Sequence, residues 1–214
     1  DETQKITLLG FSSYYPVQGG DMGSSLVENT GTDADTVDMV QAFKAKGFSM
    51  NQTVADMYEA LKPMYKSEVQ SWGGTLEYNH ITAPSTTGVF SSKEPSQAAL
   101  DGQNATWKDS MNDNNVMIVT IARSASENGT YQPGTAGVDP TQNLNQTDPL
   151  GLSDDERDLI NAAVTAKAAN GGKVIVLLNN ASAMEVQEIE DNDGVDAILQ
   201  VGLPGGYGFY GVAD

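Results

Sequence analysis

Short, continuous hydrophobic runs occur at intervals along the chain and predict buried strands. The clearest run covers residues 116–122, is nearly all apolar, and follows an Asp-Asn-Asn turn signal. Similar runs cover residues 5–9, 173–178 and 195–201, and a shorter one covers residues 48–50. Hydrophobicity that is continuous rather than alternating is typical of strands covered on both faces, as in the middle of a parallel sheet. We therefore predict strands at all five runs, with core strands at 116–122, 173–178 and 195–201.

Between these runs, apolar residues recur at helical spacing. Val54, Met57, Tyr58 and Leu61 occupy positions i, i+3, i+4 and i+7, which predicts a helix that Pro63 ends. Elsewhere Ser153 and Glu156 form a capping box that predicts a helix start, and Gly47 follows another helical stretch as a stop signal. The predicted helices cover residues 33–46, 52–62, 95–100, 153–170 and 185–190.

Strands that alternate with helices and are joined by short turns predict a fold of the α/β class. We expect a three-layer sandwich, flavodoxin-like, with a mainly parallel sheet and helices on both faces. Residues 64–112 are polar and show no sustained period, so we expect loops and irregular excursions there, not a second core. Trp72 and Trp107 in this region are either core or interface anchors or a platform for a sugar ring. The whole chain, 1–214, is then one domain.

Charge and composition exclude several classes of function. The 214 residues carry 29 acidic and 11 basic side chains, a net charge of −18, and no local Lys/Arg cluster. Such a surface repels phosphate backbones and anionic lipids, so we expect no nucleic acid and no membrane as partner. The absence of cysteine excludes disulfides, zinc–thiolate sites and thiol catalysis. The absence of cysteine does not determine the cellular compartment of the protein.

A glycine-rich loop follows the first strand, at residues 10–25. A dinucleotide site would need the spacing G-x-G-x-x-G and a helix that opens directly on the loop. The spacing is absent and we expect no such helix. We therefore interpret the loop as one whose glycines allow positive φ or close approach of another segment, and expect no cofactor and no metal.

Polar side chains follow the strand at 116–122, where the sequence turns to Arg123, Ser126, Glu127 and Asn128. In open α/β sheets the loops at the carboxyl ends of the strands form the ligand crevice. A lone carboxylate among hydroxyls and an arginine is the best candidate for chemistry in this chain. The alternative is that Glu127 is a solvated loop carboxylate in an already acidic protein.

Four stretches of the sequence form a familiar series, at residues 19–25, 118–129, 152–185 and 195–208. Taken together they resemble glycoside hydrolase family 3, specifically its second, (α/β) sandwich domain. Residues 118–129 are similar to the family's "apolar strand, Gly-Arg, Ser-Gly-Glu-Gly" segment, and residues 152–185 to its "Leu-x-x-x-Gln-x-x-Leu-Ile … Lys-Val-Val-Val-Val-Leu" segment. Residues 195–208 resemble "Val-Asp-Ala-Ile-Leu-x-x-x-x-Pro-Gly-x-x-Gly", and residues 19–25 its "Gly-Gly-x-Gly-Ser" loop. The chain departs from the pattern where Ala122, Ala125 and Asn128 replace glycines, where Asp139-Pro140 replaces an Asp-Arg pair, and where residues 180–183 lack Gly-x-Pro.

The resemblance implies a function. Enzymes of this family are typically retaining exo-glycosidases of β-linked sugars, with an aspartate nucleophile on a separate (β/α)8 barrel domain. Glu127 then matches the general acid/base, and the nucleophile lies outside residues 1–214. The expected partners are a β-linked oligosaccharide or glycoside and the N-terminal barrel domain of the same protein. We therefore expect the chain to be an excised piece of a larger enzyme and to be inactive alone.

The resemblance also implies that the neighbours of Glu127 bind substrate, namely Arg123, Ser126, Asn128 and Tyr131. For Arg123 a structural salt bridge is an equal alternative, and Tyr131 either stacks on a sugar face or packs. Two other functions stay open: a non-catalytic sugar-binding or scaffolding domain of a degenerate family member, and a free-standing ligand-binding domain. A glycan on the sequon at Asn128 would lie beside the acid, which favours a bacterial source, cytoplasmic or cell-surface.

Overall fold

A five-stranded, all-parallel sheet forms the centre of the computed structural model, which describes residues 4–19, 37–65, 67–71, 74–78, 94–123, 151–181 and 183–214. Its strand order is β2-β1-β5-β6-β7, and a separate antiparallel hairpin pairs β3 with β4. The strands are β1 Lys5–Leu9, β2 Ser49–Met50, β3 Ser67–Ser71, β4 Gly74–Tyr78, β5 Val116–Ala122, β6 Lys173–Asn179 and β7 Ala197–Gln200.

Seven α-helices connect or flank these strands within the described residues. The longest, α5, begins after the predicted capping box, in which Ser153 and Glu156 each accept a hydrogen bond from the other's backbone N–H. It ends at Gly171, whose φ of 71° is the left-handed conformation that favours glycine. The helices are α1 Phe11–Tyr14, α2 Met39–Ala45, α3 Gln52–Tyr65, α4 Gln97–Gln103, α5 Asp154–Asn170, α6 Gln187–Glu190 and α7 Phe209–Val212.

The central strands are covered on both faces, as the continuous hydrophobic runs predicted. In β5 every residue from Met117 to Ala122 is buried, and in β1 every residue from Ile6 to Leu9 is buried. Successive side chains of a strand point to opposite faces, so apolar layers pack against both sides of the sheet. The predicted α/β sandwich with a parallel sheet is confirmed.

The prediction that residues 195–201 form a core strand is wrong in its burial. In β7, Ala197 and Ile198 are only half-buried, Gln200 is exposed, and the Leu199 side chain is 51% exposed. Within the described part of the sheet β7 pairs with β6 alone and so lies at an edge. A hydrophobic run predicts a strand but does not specify whether a neighbour covers it.

Two predicted helix boundaries in the first half of the chain are also wrong. The helix predicted from residue 33 begins only at Met39, because the Asp38 side chain caps it and Gln41 completes a capping box. Pro63 does not end its helix, which continues to Tyr65. A proline forfeits one backbone hydrogen bond, and this loss is small where so little helix follows.

Two features in the first half of the chain were not predicted. The hairpin of β3 and β4 lies in the segment expected to be irregular, where a polar sequence gives little alternation. A one-turn helix, α1, opens directly on Gly10, where no helix was expected. Trp107 is fully buried in the core, in agreement with its interpretation as a core anchor, and Trp72 lies outside the described residues.

The order of strands reverses between β1 and β5. From β1 the chain continues to β2 on one side, and then from β5 to β6 and β7 on the other side. In open α/β sheets, ligands bind outside the carboxyl ends of the strands at such a switch point. A ligand site is therefore expected at the carboxyl edge beside β1 and β5.

Candidate active site

The sequence-predicted site begins at this edge. Arg123 directly follows β5, next to the switch point. Ser126, Glu127, Asn128 and Tyr131 lie outside the described residues. Their assignment as acid/base and substrate-binding residues stays a prediction.

Arg123 is in a buried ion pair. Its side chain is 1% exposed, and its Nη1 and Nη2 atoms donate to the two carboxylate oxygens of Glu156 over 2.6 and 2.9 Å. The same two nitrogens also donate to the carbonyl oxygens of Ala122 and Gly151, over 2.8 and 2.7 Å. A planar guanidinium that meets a carboxylate through two parallel bonds is the strongest form of this pairing. The structure thus contains the salt bridge given as one alternative for Arg123, and contact with substrate stays a prediction.

One carboxylate serves both this ion pair and the start of α5. Oε2 of Glu156 accepts a hydrogen bond from the Ser153 N–H over 2.9 Å as well as from Arg123. From the sequence, Glu156 was assigned only to the capping box. Its second role could not be predicted because Arg123 is 33 positions away and the pairing depends on the fold.

The segment that follows β1 crosses the carboxyl ends of the neighbouring strands. The hydroxyls of Ser13 and Thr120, the latter in β5, lie 2.8 Å apart. At the end of β6, Asn179 accepts from the Val17 N–H over 2.7 Å and donates to the Val17 carbonyl over 2.9 Å. The crossing begins at Gly10, whose φ is 93° and where an added Cβ would lie 2.4 Å from the Thr120 carbonyl oxygen. Only glycine fits there.

The crossing segment ends against the loop that follows β7. The Gly205 N–H donates to the Gln18 carbonyl over 2.8 Å, and the Gln18 side chain donates to the Val37 carbonyl over 3.2 Å. The Val37 N–H in turn donates to the Gly206 carbonyl over 2.6 Å. Gln18 and Val37 lie close to the two borders of residues 20–36, so the described chain on both sides of that segment is held at the carboxyl edge.

A buried carboxyl group lies at the turn after β1. Glu94 accepts a hydrogen bond from the Phe11 N–H over 2.7 Å and another from the Tyr58 hydroxyl over 2.9 Å. The Tyr58 oxygen accepts from the Gly10 N–H over 3.0 Å. Burial raises the pKa of Glu94 to about 8, outweighing these two hydrogen bonds, which lower it, and nearby carboxylates raise it further. Glu94 therefore keeps its proton to a higher pH than an ordinary glutamate does.

Sequence reasoning did not find Glu94, because it stands alone in a polar stretch without a period. Glu94 and Glu156 are both buried and hydrogen-bonded to backbone or structural partners, so we assign neither to catalysis. With Arg123 and Val37, they hold the described residues that border 20–36 and 124–150, and Glu94 itself at one border of 79–93, at the same edge of the sheet.

Among the described residues, no helix is long and apolar enough to cross a membrane. Within the same ranges, no group of three or more His, Cys, Asp or Glu side chains is placed to hold a metal ion.

Comparison with known proteins gives a match in structure but not in sequence. No protein-family model and no curated protein matches this sequence. Among solved structures, β-glucosidase 3B from Thermotoga neapolitana, in complexes with α-D-glucose and with glycerol, matches with a TM-score of 0.65 and 24–25% identity. A β-glucosidase from Paenibacillus barengoltzii matches with a TM-score of 0.67 at 18% identity, and a GH3 exo-β-xylosidase with a TM-score of 0.50 at 14% identity.

Each of these matches covers 100% of this chain but only a part of the other protein. That part is 25% of the Thermotoga enzyme, 20% of the Paenibacillus enzyme and 21% of the xylosidase. The chain thus spans a quarter or less of the proteins that it resembles. It has the fold of the C-terminal α/β domain of family 3 glycoside hydrolases, which confirms the resemblance seen in its sequence.

Proposed function

We propose that residues 1–214 form the α/β sandwich domain of a larger, retaining, exo-acting β-glycosidase. In this proposal the domain contributes Glu127 as general acid/base to an active site shared with a barrel domain that carries the nucleophile. The substrate is a β-linked oligosaccharide or glycoside. The likeness to a β-glucosidase solved with glucose supports this substrate class.

One observation carries the proposal. Strand β5 lies at the switch point of the sheet, and the segment that contains Glu127 starts from its carboxyl end. Glu127 is four residues beyond Arg123, and four residues of extended chain span at most about 14 Å. The covalent chain alone therefore limits Glu127 to the neighbourhood of the edge where α/β sheets bind ligands.

A single glutamate suits the acid/base role in a two-carboxylate mechanism. In retaining hydrolysis one carboxylate attacks the anomeric carbon while the other, protonated, donates its proton to the departing glycosidic oxygen. The same group then removes a proton from the water that releases the sugar. Sugar bound over Glu127 would exclude water and raise its pKa toward the working pH.

The test is made in the full-length natural protein that contains this chain. We expect Glu127→Gln to lower the rate on an aryl β-glucoside by roughly 10²–10⁴-fold, the contribution usual for acid/base catalysis. Azide should restore turnover, because it attacks the glycosyl-enzyme without a general base. Asp139→Asn and Asp148→Asn are matched controls, acidic residues of the same segment that should keep normal rates. Normal turnover by Glu127→Gln would refute the assignment.

A second function has a specific observation in its favour. Ala122, Ala125 and Asn128 replace glycines of the family pattern around the acid. Such changes fit a degenerate member that binds sugar or scaffolds the barrel without catalysis. In that case the full-length protein would bind glucose or cellobiose in calorimetry but hydrolyse no aryl glycoside.

A further inference from the structure

Ser12 lies where the chain leaves the carboxyl end of β1. It belongs to α1, which begins two positions after β1 ends. The hydroxyl of the adjacent Ser13 lies 2.8 Å from that of Thr120 in β5, so α1 extends from β1 toward β5. The order of strands reverses between these two strands. Ser12 is therefore at the switch point, where open α/β sheets bind ligands.

The two adjacent serines of α1 differ in their hydrogen bonds. Ser13 is fully buried, and its Oγ donates to the Leu9 carbonyl over 2.8 Å besides contacting the Thr120 hydroxyl. Ser12 is 7% exposed, but among the described hydrogen bonds its Oγ neither donates nor accepts. The Ser13 hydroxyl thus stabilises the fold through its own bonds, whereas the Ser12 hydroxyl makes none.

The Ser12 hydroxyl reaches solvent. Among the described residues, Asn114 Oδ1 is the one fully enclosed side-chain oxygen or nitrogen without a partner. The Oγ of Ser12 also lacks a partner but is not enclosed, so the small exposed part of this residue includes its hydroxyl. Polar groups of so buried a side chain nearly always have a hydrogen-bond partner, because an unpaired one costs free energy. This hydroxyl is therefore available to a molecule that binds at the carboxyl edge.

The backbone that carries Ser12 is held on both sides. Before it, the Phe11 N–H donates to the buried Glu94 carboxyl over 2.7 Å. After it, the Tyr14 hydroxyl donates to the Leu8 carbonyl over 3.0 Å, which connects α1 back to β1. A group whose position is fixed before binding loses little conformational entropy when a ligand meets it. Ser12 is thus preorganised as a hydrogen-bonding group.

We propose that Ser12 is a substrate-binding residue, whose Oγ forms a hydrogen bond with one hydroxyl of the sugar unit that is cleaved off. The identity of this ligand rests on the proposed function. A serine hydroxyl both donates and accepts, and so does each hydroxyl of a sugar, so the two groups match. An anionic ligand at this point is disfavoured by the net charge of −18.

The first measurement is the thermal midpoint of the full-length natural protein. Ser12→Ala removes a hydroxyl that has no described bond inside the protein, so the midpoint should change by less than about 1 °C. Ser13→Ala, the matched control, loses two buried hydrogen bonds and should lower the midpoint by about 2 °C or more. An equal loss in both variants indicates that the Ser12 hydroxyl has a structural role and overturns the inference.

The second measurement is kcat/KM with an aryl β-glucoside. Ser12→Ala should lower it by about three- to tenfold, the size expected for one neutral hydrogen bond. Aryl β-glucosides that each lack one sugar hydroxyl then identify the bond. With one of them the variant and the wild type should be equally fast, because the partner of Ser12 is already missing, whereas the others keep the loss. No loss with the parent substrate, or the same loss with every substrate, overturns the inference.

Calorimetry separates this inference from the proposed function. If the wild-type protein hydrolyses no glycoside, the proposed function fails, and the binding of glucose and of cellobiose decides the role of Ser12. Ser12→Ala should then raise the Kd by about three- to tenfold. Equal Kd values in both proteins, or no binding by the wild type, overturn the inference, as expected if the hydroxyl binds water only.

Discussion

Replacing Glu94 by glutamine should remove a pH dependence from the stability of this chain. Glu94 is buried against the Phe11 N–H and the Tyr58 hydroxyl, and burial is the main reason that its pKa rises from 4.5 to about 8. The folded state therefore holds the proton more tightly than the unfolded state. This contribution to stability is full below pH 4.5 and is lost as the pH rises toward 8.

The size of the effect follows from the two pKa values. Between them the folded chain binds one more proton than the unfolded chain, which lowers the free energy of unfolding by about 1.4 kcal/mol per pH unit. From pH 5 to pH 8 the loss is about 3 kcal/mol. Glutamine has the same shape and no titrating proton. Its oxygen can accept from Phe11 and its NH₂ group can donate to Tyr58.

Urea unfolding followed by circular dichroism at pH 5, 6, 7 and 8 measures this difference. The wild-type chain should lose stability relative to Glu94→Gln as the pH rises, and the general effect of net charge cancels between the two chains. Glu188→Gln, at an exposed carboxylate, is the control and should run parallel to the wild type. Parallel curves for Glu94→Gln as well would show that Glu94 ionises normally and would refute the reasoning.

Three further predictions concern the described edge of the sheet and the activity of the chain. Arg123→Met should lower the free energy of unfolding by about 3–5 kcal/mol in urea titrations, because it removes the positive charge from a buried ion pair. The double variant Arg123→Met/Glu156→Leu should recover most of this loss, and no recovery would contradict a charge effect. Gly10→Ala should lower the thermal midpoint more than Gly47→Ala does. Both glycines have φ near 90°, but only at Gly10 would a Cβ meet a backbone atom, at 2.4 Å. Equal shifts of the two thermal midpoints would show that the positive φ, and not this clash, causes the loss of stability. The isolated 214-residue chain should hydrolyse no aryl β-glucoside, and turnover that is abolished by Glu127→Gln in the chain alone would contradict a shared active site.

Much of the fold could be predicted from local patterns. The strands β1 and β5 have the bounds that the hydrophobic runs predicted, because a strand buried on both faces needs a continuous apolar sequence. The start of α5 was equally predictable, since a capping box involves residues three positions apart. The order of the motifs along the chain was sufficient to identify the family fold, whereas the identity of any single match is 25% or lower.

The sequence by itself thus determined the class of fold, the main strands and the segment that contains the candidate catalytic residue. Only the tertiary structure decided that Arg123 pairs with Glu156, that Glu94 is buried against Phe11, and that β7 lies at an exposed edge. The physical reason is the range of the interactions. Periodicity and capping act between residues a few positions apart, whereas burial of a charge depends on partners 33 and 83 positions away, which only the folded sheet brings into contact.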